Sequence, residues 1–146
     1  MAQLIQRRFE SDVCSVYLLE ADRKTLVLAA TVGLRPESVG RVRMRLDEGL
    51  AGLVAEQLRP QFVDDAQRHP RFKYFPEADE DPYRSFLGVP LLDRGLLEGV
   101  LVIQTRDARS FRSEEVSLLT MAGTQLAPIV GEARTQARSL RRHTTT

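Results

Sequence analysis

A chain of 146 residues with 42% hydrophobic and 28% charged residues has the make-up of one globular domain built on one core. A net charge of +1 gives no compositional support for a nucleic-acid partner, and no apolar run approaches transmembrane length, so neither nucleic acid nor membrane is expected. Cys14 is the single cysteine, which excludes a disulfide within the chain; with no signal peptide at the start, the expected location is cytoplasmic.

Residues 1–11 place Leu4, Ile5, Arg8 and Phe9 on one side at helical spacing, which predicts a short helix in need of a surface to pack on. Residues 12–19 (DVCSVYLL) and 25–32 (TLVLAATV) read as two strands joined by a polar turn. Cys14 reads as a small buried hydrophobe. The competing reading is a reactive thiol or a bilin attachment point, but no His or Lys lies nearby in sequence to activate it. After a loop containing Pro36, Arg41, Arg43 and Arg45 alternate with Val42, Met44 and Leu46. This predicts a half-buried strand whose basic face either binds an acidic group or protects a solvated sheet edge. Asp47 is the expected cap of a helix with the stripe Leu50, Leu53, Val54 and Leu58, stopped by Pro60. Residues 61–63 form a short strand closed by Asp64 and Asp65. Adjacent residues on a strand end point apart, so these read as turn formers and not as a carboxylate pair.

Residues 65–84 have no period and contain Pro70, Pro76 and Pro82. Long connections of this kind are usually functional or disordered, and Phe72, Tyr74, Phe75 and Tyr83 argue against disorder. A folded flap over one sheet face is expected, with the acidic residues 77–81 toward water. Two apolar runs follow, 86–92 and 97–103, separated by Asp93-Arg94-Gly95, whose glycine is free to take positive φ. Most positions on both faces of this hairpin are apolar, so a layer should cover each face. Ser113 is a candidate cap for a final helix, with Glu114 and Glu115 in its first turn where the helix dipole favours negative charge. Its stripe is Val116, Leu119, Ala122, Leu126, Ile129, Ala133 and Leu140, and Pro128 should kink it. A helix this long suggests a connector, with residues 144–146 frayed.

Catalytic motifs are absent: there is no nucleophile elbow, no zinc-binding helix motif, no phosphate loop and no clustered metal ligands. His143 falls in the tail. His69 precedes Pro70 and has three open readings, a turn cap, a ligand contact or a base. No catalytic residue, metal or cofactor is expected.

The hairpin sequence SFLGVPLLDRGLLEGVLVIQ is similar to the last hairpin of GAF domains, and the element order extends that resemblance over residues 1–135, leaving 136–146 as a helical extension. DVCSVYLL, GLRPESVG, EGLAGLV, HPRFKYFPE and SFLGVPLL together resemble the amino-terminal GAF domain of nitrogen-type phosphotransferase enzyme I. The resemblance implies an α+β, profilin-like three-layer α/β/α fold. A six-stranded antiparallel sheet would carry the terminal helices on one face and a ligand flap on the other, with the final hairpin beside the first strand. It implies a non-enzymatic regulatory domain that senses a small metabolite, with glutamine or 2-oxoglutarate as candidates, and couples it to a phosphotransferase. A homodimer through the terminal helices is the expected partner. The expected ligand-binding residues are Phe72, Tyr74, Tyr83 and Phe86 as apolar walls, with His69, Arg84 and Ser85 as donors. Two alternatives remain, a dimerisation module without a ligand and a small redox enzyme using Cys14. Some GAF relatives reduce free methionine sulfoxide with several cysteines, and one cysteine cannot form the intramolecular disulfide of that chemistry.

Overall fold

The structure is a computed structural model that describes the backbone of residues 2–72 and 83–144, and the side chains within that range except at position 67 and at positions 133–144. Helix α1 (Ala2–Arg8) leads into strands β1 (Val13–Leu19) and β2 (Thr25–Val32), followed by β3 (Arg43–Arg45), α2 (Gly49–Gln57) and β4 (Gln61–Val63). The chain is completed by β5 (Ser85–Asp93), β6 (Leu96–Thr105) and the long helix α3 (Ser113–Thr144). The sheet order is β3-β2-β1-β6-β5-β4, and every neighbouring pair is antiparallel.

The last hairpin supplies two of the inner strands. Its turn is made by Arg94 and Gly95 at φ 54° and 81°, the double positive φ that matches the natural twist of a tight hairpin. β6 then lies beside β1, with Val13 opposite Gln104 and Leu18 opposite Gly99, as the GAF resemblance implies. The contact at Gly99 is so close that a Cβ there would sit 2.0 Å from the Tyr17 carbonyl oxygen. Both sheet edges are three-residue strands, β3 and β4, short enough to offer little template for further pairing.

Alternation along the strands sends side chains into two cores. On one face Ile5 from α1, Phe9 just after it, and Leu119, Leu126, Ala127 and Val130 from α3, pack on Cys14, Val16, Leu87, Val89, Leu101 and Ile103. On the other, Leu50, Ala51, Val54 and Ala55 of α2 pack on Tyr17, Leu26, Leu28, Met44, Phe86, Val100 and Val102. The three layers and the shared face of the terminal helices agree with the sequence reading.

Local departures have identifiable causes. Glu48, not Asp47, holds the capping position of α2, in extended backbone, and Asp47 pairs with Arg45 at 3.5 Å instead. The helix stops before Pro60 is reached, because Leu58 turns into the left-handed region at φ 55° while its N–H still donates to the Val54 carbonyl. Leu58 thereby leaves the expected apolar stripe and is 49% exposed. Leu4 and Ile129, also assigned to apolar stripes, are 69% and 56% exposed. Arg41, Arg43 and Arg45 do lie on the exposed side of the edge, where Arg43 pairs with Glu20 at 2.8 Å. Pro128 sits inside α3 without ending it. Tyr74, Phe75 and the acidic residues 77–81 lie outside the described residues.

Candidate functional site

On the α2 face, the sheet, the first turn of α2 and residues 66–72 leave a cavity of about 30 Å³. Tyr17 from β1, Met44 from β3, Leu50 and Ala51 from α2, and Val102 and Gln104 from β6 form one side. Ala66, Phe72, Tyr83 and Phe86 form the other. The walls are mostly apolar side chains, with Tyr17, Tyr83 and Gln104 as the lining residues that carry polar side-chain atoms. The position of Gln104 follows from register, since residues 100, 102 and 104 of β6 share the cavity face. Gln104 is 7% exposed, and its side-chain oxygen has no hydrogen-bond partner among the described residues. A buried acceptor left without a donor costs roughly 1–3 kcal/mol, and a water or a ligand group can supply that donor.

The wall formed by residues 66–72 and Tyr83 is braced from outside. Phe72 donates its N–H to the His69 carbonyl at 3.0 Å. Its neighbour Arg71 reaches across to α2, donating to the Leu46 carbonyl at 3.0 Å and pairing with Glu56 at 3.3 Å. Tyr83 donates its hydroxyl to the Gly33 carbonyl at 3.2 Å, and the Arg106 guanidinium lies 5.9 Å from its ring centre.

The structure divides the residues expected to bind ligand. Phe72, Tyr83 and Phe86 wall the cavity together. His69 and Arg84 stand in a separate surface groove beside Asp65. Ser85 faces away: its hydroxyl bonds with that of Thr105 and accepts the Thr105 N–H at 3.1 Å, on the α3 side of the sheet. Tyr74 lies outside the described residues. Tyr17, Met44, Leu50 and Gln104 were not anticipated. Gln104 carried a readable signal, a polar residue continuing the core-facing alternation of Val100 and Val102; the others are joined only by folding. Cys14 lies in the opposite core, where burial pushes its thiol up to about 12.

The sequence model of the GAF domain matches residues 1–130. The chain belongs to the GAF domain family. This GAF domain is 42% identical over 128 residues to proteins of Salmonella typhimurium and Escherichia coli named phosphoenolpyruvate-dependent phosphotransferase system. Those matches cover 88% of the chain but 17% of each relative, so the chain spans about one sixth of their length. Its fold is similar to the GAF domain of an Acinetobacter phosphoenolpyruvate-protein phosphotransferase, with a TM-score of 0.84 and 35% identity, covering 94% of this chain and 82% of the other. It is also similar to the type II free methionine-R-sulfoxide reductase of Thermoplasma acidophilum, with a TM-score of 0.76, 24% identity and coverage of 90% and 87%. That second likeness extends to the fold alone. Among the described residues, no helix is long and apolar enough to cross a membrane.

Proposed function

We propose that this GAF domain is a regulatory module that takes a small polar metabolite into the cavity walled by Phe72, Tyr83 and Gln104 and reports its presence to a phosphotransferase. The observation that carries this reading is Gln104, a residue of the cavity wall whose buried side-chain oxygen has no hydrogen-bond partner among the described residues. An acceptor asks for an N–H or ammonium donor. Of the candidates raised by the nitrogen-type resemblance, glutamine offers such a donor and 2-oxoglutarate does not, so the amino acid fits better. At roughly 10–15 Å³ per water, the cavity of about 30 Å³ holds two waters, and a metabolite enters only if the wall at Phe72 gives. A non-catalytic role is supported by the position of Cys14, buried under α1 and α3 on the far side of the sheet from the cavity.

Thermal melting with glutamine, other amino acids and 2-oxo acids tests the reading. Amino acids are expected to raise the melting temperature of the wild type and to leave Gln104→Leu unmoved. No shift with any compound would favour the second reading, a dimerisation module with a closed cavity, for which the small cavity volume is the supporting observation.

A further inference from the structure

A groove of about 500 Å³ runs along the outside of the domain, separate from the cavity, between the end of β4 and the start of β5. Its chemistry is set by Asp65, Arg68, His69 and Arg84. Both guanidinium groups meet the same carboxylate oxygen: Asp65 Oδ2 lies 3.1 Å from Arg84 Nη2 and 3.2 Å from Arg68 Nε. Two cations therefore converge on one anion. Neither arginine is an unanchored surface side chain at its root. The Arg84 N–H donates to the Thr105 carbonyl at 2.8 Å, and its own carbonyl accepts the Ala66 N–H. The Arg68 N–H closes a turn onto the Asp65 carbonyl at 3.2 Å. Arg84 donates one of its five N–H groups to Asp65 and Arg68 pairs with the same carboxylate, and with side chains 85% and 49% exposed, Arg68 and Arg84 line the groove with further N–H groups open to solvent. His69 adds a third direction of donation. Its Nδ1 accepts the Arg71 N–H at 3.0 Å, so the neutral ring carries its proton on Nε2. The opposing charge is Asp64, exposed on the same groove.

We propose that this groove binds a phosphoryl dianion, free or carried on a phosphorylated side chain, with Arg68 and Arg84 as its charge partners and His69 as a neutral donor. Paired guanidinium forks are the side chains best matched to the oxygens of a phosphoryl group. Asp65 holds the two forks together and, with Asp64, balances their charge, so the groove would select its anion by the fork geometry and not by net charge. None of the groove's lining residues lines the Gln104 cavity, so each site is tested with its own substitutions.

The test is an amide-detected NMR titration of the chain with sodium phosphate, ionic strength held constant with chloride. Saturable shifts are expected at Ala66, Arg68, Arg84 and Thr105. Arg68→Gln or Arg84→Gln should weaken binding at least tenfold, and Asp64→Asn, by removing the opposing charge, should tighten it several-fold. Gln104→Leu should leave the affinity unchanged. A phosphoserine peptide in the same buffer separates the sources: tighter binding than phosphate assigns the groove to a modified side chain, and equal or weaker binding assigns it to a free phosphoryl compound. Shifts that climb without saturating, or that are the same in wild type, Arg68→Gln and Asp64→Asn, overturn the proposal. Because the Arg68 side chain is largely in solvent, Arg68→Gln is expected to keep the native spectrum elsewhere, which removes misfolding as an explanation.

Discussion

Gln104 occupies a register position that β6 otherwise fills with Val100 and Val102. Its side-chain oxygen has no partner among the described residues, and where no water satisfies it such an acceptor costs on the order of 1–3 kcal/mol relative to an apolar residue. Gln104→Leu should therefore melt at or above the wild-type temperature without ligand while losing any ligand-induced shift. A lower melting temperature with the shift retained would remove Gln104 from the site. Gly99 poses the opposite constraint. A methyl group there meets the Tyr17 carbonyl at 2.0 Å, and backbone on a paired inner strand has no room to yield. Gly99→Ala is expected to cost about 3 kcal/mol or more, read by urea denaturation; a loss under about 1 kcal/mol would mean that β1 and β6 slide apart freely. Cys14 is a matter of burial. The fold holds its thiol at about 12 against an ordinary 9.0, so the folded state keeps the proton more tightly than the unfolded chain. The resulting stability is complete below pH 9.0 and is lost as the pH climbs toward 12. Cys14→Ala should cost about 1–2 kcal/mol at neutral pH and show a shallower alkaline decline of melting temperature than the wild type. Rapid reaction of the native thiol with a disulfide reagent at pH 7 would contradict this picture.

At the scale of elements, α3 is the one whose role exceeds the needs of the core. Leu119, Gly123, Leu126, Ala127 and Val130 face the sheet, whereas Leu118, Met121 and Ile129 of the same helix are exposed. If α3 mediates the homodimer implied by the GAF resemblance, the exposed row is the contact. Ile129→Glu should then give a folded monomer, whereas Leu126→Glu should unfold the domain by burying a charge. Sedimentation separates these outcomes, and a wild type that stays monomeric at high concentration would end the dimer reading. The elements that were legible in the sequence are those with local causes. β2, β4 and the last hairpin carry their alternation and turn chemistry within a few residues, and the structure reproduces them closely. The end of α2 was less legible because Pro60 is a sufficient stop, and nothing in the sequence marks Leu58 as the residue that turns left-handed first. In the candidate site the aromatic walls Phe72, Tyr83 and Phe86 were readable as apolar residues around an irregular segment. Ser85 was not compatible with Phe86 in one cavity, since neighbours on an extended strand face opposite ways. Tyr17 and Met44 come from the first and third strands, and only the sheet order brings them to the same space.

For the whole molecule, the question is how an occupied cavity on one face of a sheet affects a helix on the other. The connecting element is β6. Val102 and Gln104 face the cavity, while Leu101 and Ile103, one residue out of phase, lie in the core beneath α1 and α3. A close-packed sheet transmits strain because its side chains have few voids to relax into. On the proposed reading, a donor bound to Gln104 would fix that side chain and, through it, the backbone of β6 on which the α3 core rests. Such a ligand would stabilise the fold by mass action, by about 2.7 kcal/mol at a concentration a hundredfold above its Kd. At roughly 2–4 °C per kcal/mol for a domain of this size, that is a rise in melting temperature of about 5–10 °C. Hydrogen exchange tests the route as well as the binding. With saturating glutamine, amides of β6 and of residues 119–130 in α3 are expected to exchange more slowly than in the free domain. Gln104→Leu should abolish the difference in both elements at once. Protection confined to residues 66–72 and 83–86, with α3 unchanged, would mean that the ligand is held but its presence is not passed through β6.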